Sequence, residues 1–152
     1  MVRLAKAKRG IEVGVFTGYT SLCFAEALQK DGELISIDVD STFAEVGKKY
    51  WKEAGVEDRI KLRLEGGNAV LDELLSVPEN HNTFDFAYVD ADKPNYLSYF
   101  SKLSDLIKPG GFIMFDNVLW KGYVADEAKR NEDQPTRILY EVVQKALEDQ
   151  RF

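Results

Sequence analysis

The chain has almost none of the side chains that do most nucleophilic and metal-binding work: one cysteine, Cys23, and one histidine, His81, in 152 residues. A single cysteine excludes an intrachain disulfide and any cysteine-built metal site. Cys23 sits between Leu22 and Phe24 on an apolar helical stretch and is expected to fill core rather than react. His81 falls in the polar loop Val77 to Thr83, so the commonest general base is expected to be solvated and idle. Long apolar runs are also missing. None approaches the ~18 residues of a membrane span, and no signal-peptide pattern opens the chain. Positive charge is short as well, with 20 Lys and Arg against 26 Asp and Glu and a net charge of −6. That deficit argues against a nucleic-acid partner, whose binding is carried by basic surface, and suits a small cation-bearing ligand. A cytoplasmic protein that meets neither membrane nor nucleic acid is the expectation.

What is present alternates regularly. The length corresponds to one domain, residues 1–152, enough to bury roughly 70% of the unfolded surface in one core. The basic opening, Met1 to Arg9, reads as the solvated end of a helix. Ile11 to Phe16 reads as a strand, Tyr19 to Gln29 as a helix, and Glu33 to Val39 as a second strand. Ser41 or Thr42 can cap the next helix, with Glu45 completing a capping box from Thr42. Along that helix Phe43, Val46, Tyr50, Trp51 and Ala54 form a stripe expected to face the core. Ile60 to Leu64 is a third strand, followed by a turn at Gly66-Gly67-Asn68 and a short helix from Ala69 to Leu75. Phe84 to Val89 and Phe112 to Phe115 are the fourth and fifth strands, separated by a helix from Asn95 to Ile107. A last helix, Thr136 to Leu147, carries Ile138, Leu139, Val142, Val143, Ala146 and Leu147 on one face. Such alternation predicts an α/β fold, a doubly wound Rossmann-like sheet of five mainly parallel strands with helices on both faces.

Two groups of residues carry chemistry. The first is Ile11 to Ser21, an apolar strand running into Gly14, a second glycine at Gly18, and a helix start. That junction belongs at the carboxyl end of a first strand, where open α/β sheets bind ligands. Asp38, at the next strand end, lies 20 residues past Gly18, the offset at which a carboxylate reaches ribose hydroxyls. A dinucleotide loop needs a glycine two residues after the first, to admit the pyrophosphate. Here that position is Phe16, and the acidic Glu12 two residues before Gly14 repels phosphate. A nucleoside with a cationic arm and no phosphate fits better, and S-adenosylmethionine meets those conditions. The second group is Asp90 after the fourth strand with Asp116 and Asn117 after the fifth. Adjacent strand ends meet over the same crevice, and three oxygen donors without histidine or cysteine suit Mg²⁺, with Ca²⁺ or Mn²⁺ as alternatives.

Four segments together carry a family resemblance: Glu-Val-Gly-Val-Phe-Thr-Gly-Tyr-Thr-Ser at 12–21, Ile-Asp-Val-Asp at 37–40, Val-Asp-Ala-Asp-Lys-Pro-Asn-Tyr at 89–96 and Phe-Asp-Asn-Val-Leu-Trp at 115–120. The chain resembles the cation-dependent O-methyltransferases, which include the caffeoyl-coenzyme A and catechol enzymes, from about Leu4 to Phe152. The resemblance implies that Glu12, Gly14, Val15, Thr20, Asp38, Asp90 and Asp92 line the S-adenosylmethionine site, with Asn68 and Ala69 near the adenine. It further implies that Asp90, Asp116 and Asn117 hold the divalent metal, and that Lys93, beside Asp90, takes the proton of a hydroxylated aromatic acceptor. Where the plant caffeoyl-coenzyme A enzymes carry an asparagine that contacts substrate, this chain has Lys121. A free catechol-like acceptor is therefore as good an expectation as a thioester. Family members are longer at both ends, with leading helices that cover substrate and aid a homodimer and with two further strands. The expectation is thus a truncated form lacking those strands. A non-catalytic module that binds S-adenosylmethionine or metal is the alternative; a nicotinamide-dependent dehydrogenase, disfavoured by Phe16, is the weaker one.

Overall fold

A computed structural model describes all residues, 1–152. Its strands are β1 (Arg9–Val13), β2 (Glu33–Asp38), β3 (Ile60–Leu64), β4 (Phe84–Val89) and β5 (Ile107–Phe115). They form one sheet in the order β3-β2-β1-β4-β5, with every neighbouring pair parallel. The helices are α1 (Tyr19–Ala27), α2 (Ser41–Glu53), α3 (Gly67–Leu75), α4 (Tyr96–Leu106), α5 (Glu127–Glu132) and α6 (Gln134–Glu148). The chain lays β1, β2 and β3 outward in one direction, then crosses back to set β4 on the other side of β1. That reversal opens a crevice at the carboxyl ends of β1 and β4, the place where open α/β sheets take ligands.

Period-two alternation divides the strand side chains between two cores. Ile11 and Val13, Ile35 and Ile37, and Ala87 and Val89 pack under α3, α4 and α6. Leu34, Ile60 and Phe86 pack on the opposite face with Ala25 of α1, Leu28 just past its end, and Ala44 and Trp51 of α2. One row on that second face is polar: Glu12 lies in register with Ser36 of β2 on one side and Tyr88 of β4 on the other. At the far end of the sheet Asp85 accepts the Lys8 and Arg9 amides, both at 2.8 Å, and so fixes where β1 starts.

Several elements depart from the expectations. β1 stops at Val13 because Gly14 takes φ +99°, which only glycine adopts freely, and the chain there turns out of the sheet. Of the stretch Met1 to Arg9, Val2 to Lys6 form turns and Arg9 already belongs to β1, with Val2 and Ala7 buried, so it is not a helix end. The cap of α2 is Asp40, whose carboxylate accepts the Thr42 amide at 2.8 Å; neither Ser41 nor Thr42 caps it. On α2 the buried face is Ala44, Gly47 and Trp51, while Phe43, Val46 and Tyr50 are exposed. The choice of face follows from close approach: a Cβ on Gly47 would come within 3.1 Å of the Gly18 Cα, and Trp51 donates its Nε1 proton to the Gly18 carbonyl at 2.8 Å. Cys23 is exposed, on the outer face of α1. Helix α3 begins at Gly67, so Gly67 and Asn68 lie in its first turn and not in a preceding loop. β5 begins at Ile107, earlier than its apolar core suggests, since Lys108 to Gly110 run as exposed strand. Val143 and Leu147 of α6 face solvent, leaving Ile138, Leu139 and Val142 to anchor that helix. No helix is long and apolar enough to cross a membrane.

Candidate active site

The crevice is a cleft of about 1020 Å³, walled by the β1–α1 loop, the ends of β2 and β4, and the start of α3. Gly14 makes its floor possible. A Cβ there would lie 2.0 Å from the Asp90 carbonyl oxygen, so β1 and β4 approach at a point only glycine permits. The loop above is held by Asp38, whose Oδ2 accepts the Val15 amide at 2.8 Å and the Phe16 amide at 2.9 Å. Burial pushes the Asp38 carboxyl up, but the amides of Asp40, Phe16, Val15 and Val39 outweigh it and hold it below its ordinary value. Helix α1 then follows Gly18, which has no side chain to cap it, so its first-turn amides stay available to an anion at the cleft. Phe16, at φ +49°, is turned outward and packs on Phe43 with ring centroids 4.8 Å apart, forming an apolar rim.

On the opposite wall a chain of amides and hydroxyls fixes Asp92. Its Oδ1 accepts the Tyr99 hydroxyl at 2.7 Å and its Oδ2 the Asn95 amide at 2.5 Å. Asn95 in turn accepts from Asn68 at 3.0 Å, and Asn68 accepts the Ser98 hydroxyl at 2.7 Å. Burial, then the bond to Asp92, raise the Tyr99 pKa, so Tyr99 stays a neutral donor. The first turns of α3 and α4 are thereby locked to the β4 strand end.

The second cluster lies beside the cleft. Lys93, with a side chain only 10% exposed, extends its Nζ to Asp90 Oδ1 at 3.3 Å and to Asn117 Oδ1 at 3.1 Å. The same ammonium contacts the Tyr96 hydroxyl and stands over the Tyr96 ring at 4.4 Å. Asn117, at φ +60°, donates its backbone amide to Asp116 Oδ1 at 2.6 Å, and Tyr88 donates its hydroxyl to Asp116 Oδ2 at 2.7 Å. Nowhere in the protein do three or more His, Cys, Asp or Glu side chains gather, so any cation here would take its third protein donor from the Asn117 amide oxygen. The donors fit a hard divalent ion: all are oxygens, and those of Asp90 and Asn117 already converge on one cationic nitrogen.

Of the residues singled out from sequence, Gly14, Val15, Thr20, Asp38, Asn68, Ala69, Asp90 and Asp92 line the cleft. Lys93, Asp116 and Asn117 meet next to it. Glu12 does not line the cleft. It is fully buried beneath the loop, where its Oε2 accepts the Ser21 hydroxyl at 2.5 Å and the Ser36 hydroxyl at 2.7 Å, and its Oε1 has no partner. Burial pushes its carboxyl up to about 7, against the pull of the two serines. Sequence reasoning missed Tyr88, Asn95, Ser98 and Tyr99. Tyr88 could have been found from strand periodicity, being two residues before Asp90 and therefore on its face of the strand. Tyr99 and Asn95 lie seven and three residues after Asp92, one helical face.

Comparison with known proteins bears on the same features. The sequence family described as O-methyltransferase matches residues 1–152. The chain belongs to the O-methyltransferase family. Among curated members it is 46% identical over 128 residues to tricin synthase 1 of Oryza sativa subsp. japonica, covering 82% of this chain and 51% of that protein. It is 43% identical over 124 residues to the caffeoyl-CoA O-methyltransferase of Medicago sativa, covering 82% and 50%. This O-methyltransferase family member thus spans about half the length of the curated relatives it matches. Among solved structures, the O-methyltransferase TomG of Streptomyces achromogenes, determined with S-adenosylmethionine, superposes with a TM-score of 0.86 at 32% identity, covering 95% of this chain and 63% of TomG. The Bacillus cereus O-methyltransferase shares the fold at a TM-score of 0.88 and 24% identity, over 98% of this chain and 66% of that one. The five-stranded parallel sheet with its helices is the S-adenosylmethionine-dependent methyltransferase fold.

Proposed function

We propose that this chain transfers the methyl group of S-adenosylmethionine to a hydroxyl of a catechol-like or caffeoyl-type acceptor, with a divalent cation held by Asp90, Asp116 and Asn117. The observation that carries the reading is the juxtaposition of two features. A cleft of about 1020 Å³ opens over the β1–β4 switch point, and beside it the Asp90 and Asn117 oxygens converge on one cationic group. In this reading the carboxylate of the methionine arm meets the uncapped start of α1. Asp38, whose Oδ1 also accepts the Asp40 amide at 2.9 Å, and the wall at Asn68 and Ala69 take the ribose and adenine. Asp92, pinned by Tyr99 and Asn95, faces the cationic part of the cofactor. Bound at the three oxygens, Mg²⁺ or Mn²⁺ supplies Lewis acidity that makes a vicinal hydroxyl easier to deprotonate. Lys93 would receive that hydroxyl's proton as the neutral amine, its ammonium having first released a proton to solvent; the Tyr96 and Trp120 rings keep water from it, and the cleft walls align acceptor oxygen and methyl group. The acceptor class rests on the plant relatives, a tricin synthase and a caffeoyl-CoA O-methyltransferase.

Calorimetric titration of the full chain with S-adenosylmethionine, NAD and Mg²⁺ tests this reading. Binding of S-adenosylmethionine but not NAD is expected. A second reading, a module that binds S-adenosylmethionine without turnover, is favoured by the Lys93 ammonium bridging Asp90 and Asn117. S-adenosylmethionine binding with no heat from Mg²⁺ would select it.

A further inference from the structure

Asp116 is held at both of its oxygens. Oδ1 accepts the Asn117 amide at 2.6 Å, a bond the chain makes with its own backbone, and Oδ2 accepts the Tyr88 hydroxyl at 2.7 Å. The second donor comes from a different strand. Tyr88 stands opposite Met114 in the β4–β5 register, and Asp116 follows two residues later, just past the end of β5. The Tyr88 ring is steadied edge-on by Phe24 of α1 at 5.4 Å, and its own strand position is tied to β1 opposite Glu12. Its hydroxyl is therefore delivered by rigid elements to a carboxylate that otherwise begins a loop of left-handed residues, Asn117, Trp120 and Lys121. A carboxylate on such a loop can rotate, and a rotating ligand loses entropy when it coordinates. Oδ1 takes the Asn117 side-chain amide as well, at 3.3 Å, whereas the Tyr88 bond commits one lone pair of Oδ2 to a fixed donor and aims the other in advance.

We propose that Tyr88 is a positioning residue for cation binding, its hydroxyl orienting the Asp116 carboxylate toward the ion shared with Asp90 and Asn117. The inference rests on the reading of those three residues as the cation site. It goes beyond that reading by assigning the affinity of the site to a residue that does not itself touch the ion. Outer-shell donors of this type are worth on the order of 10- to 100-fold in metal affinity.

The test is Mn²⁺ binding to the full chain, followed by the electron paramagnetic resonance signal of free Mn²⁺, with no cofactor or acceptor present. Tyr88→Phe keeps the ring and its contact with Phe24 and removes only the donor. A dissociation constant raised by about tenfold or more in Tyr88→Phe supports the proposal. An unchanged constant, with wild type binding Mn²⁺ and Asp116→Asn binding it measurably more weakly, overturns the role of Tyr88 while leaving the cation site standing. No binding by wild type overturns both. A double variant, Tyr88→Phe with Asp116→Asn, is a further check. If Tyr88 acts through Asp116, it binds Mn²⁺ no more weakly than Asp116→Asn alone; a further additive loss would show that Tyr88 acts by another route.

Discussion

Replacing Glu12 by Gln should make the protein more stable above neutral pH, although it removes a fully buried side chain's charge and two charge-assisted bonds. The reasoning starts from the carboxyl's surroundings. Its neighbours are Ser21 of α1, Ser36 of β2, Asp38 at the β2 end and Tyr88 of β4, none of them cationic, and its Oε1 has no partner. Burial therefore dominates and lifts the carboxyl from 4.5 to about 7. A group whose pKa is higher in the folded state binds its proton more tightly there. The stability this provides is complete below pH 4.5 and is lost as pH rises through about 7. At 1.36 kcal/mol per unit, the rise from 4.5 to about 7 amounts to about 3 kcal/mol. That is a large share of the ~5–15 kcal/mol that holds a domain together. Glu12→Gln keeps an oxygen for the two serine hydroxyls and never ionises, so its stability should lack that slope. The depressed carboxyls, Asp38 and Asp85 among them, act in a separate window: their contribution is lost as pH falls below their ordinary 3.8. Urea unfolding at pH 5, 6, 7 and 8 separates the two effects. Wild type should lose about 2.5 kcal/mol between pH 5 and pH 8, where part of the effect is already gone at the start, while the Gln variant stays nearly level and is the more stable protein at pH 8. Parallel curves for the two proteins would refute the argument.

Other expectations follow from the same geometry. Gly14→Ala sets a Cβ 2.0 Å from the Asp90 carbonyl at φ +99°; left-handed strain and overpacking together cost roughly 2–5 kcal/mol. Gly66→Ala meets nothing within 4 Å and should stay within about 1 kcal/mol of wild type, both read from urea midpoints. Asp38→Ala strips the acceptor from the Val15 and Phe16 amides and should lower both stability, by about 1–3 kcal/mol, and S-adenosylmethionine affinity measured by calorimetry. Lys93→Met should reduce kcat by on the order of 10²- to 10⁴-fold in a methyl-transfer assay, with S-adenosylmethionine affinity little changed because Lys93 does not line the cleft.

The alternation of strand and helix and the location of the crevice were legible in the sequence because strands buried on both faces write continuous apolar runs, and glycine marks the turn between β1 and α1. The site residues at strand ends were legible for the same reason. Helix α2 was not. Phe43, Val46 and Tyr50 share one helical face and Ala44, Gly47 and Trp51 another, so periodicity offered two stripes of equal spacing. The expected stripe drew on both, and of its five residues only Trp51 is buried. Contact with Gly18 decided it, and only tertiary structure reveals that the small residues of α2 face a glycine. Glu12 misled for a different reason. A carboxylate two residues before a ligand-binding glycine reads as a ligand, but alternation along β1 turns it into the sheet face under α1, where Ser21 and Ser36 receive it. Asp40 was overlooked as the α2 cap because Ser41 and Thr42 follow it immediately, and all three residue types cap helices well.

The most direct measurement of the account is transfer of a labelled methyl group from S-adenosylmethionine to catechol by the full chain, run with Mg²⁺, then with a chelator, then with Mg²⁺ restored. The account predicts product in the first and third conditions and none in the second. Turnover that continues undiminished in chelator, or none in Mg²⁺ from a chain that binds S-adenosylmethionine, would contradict it.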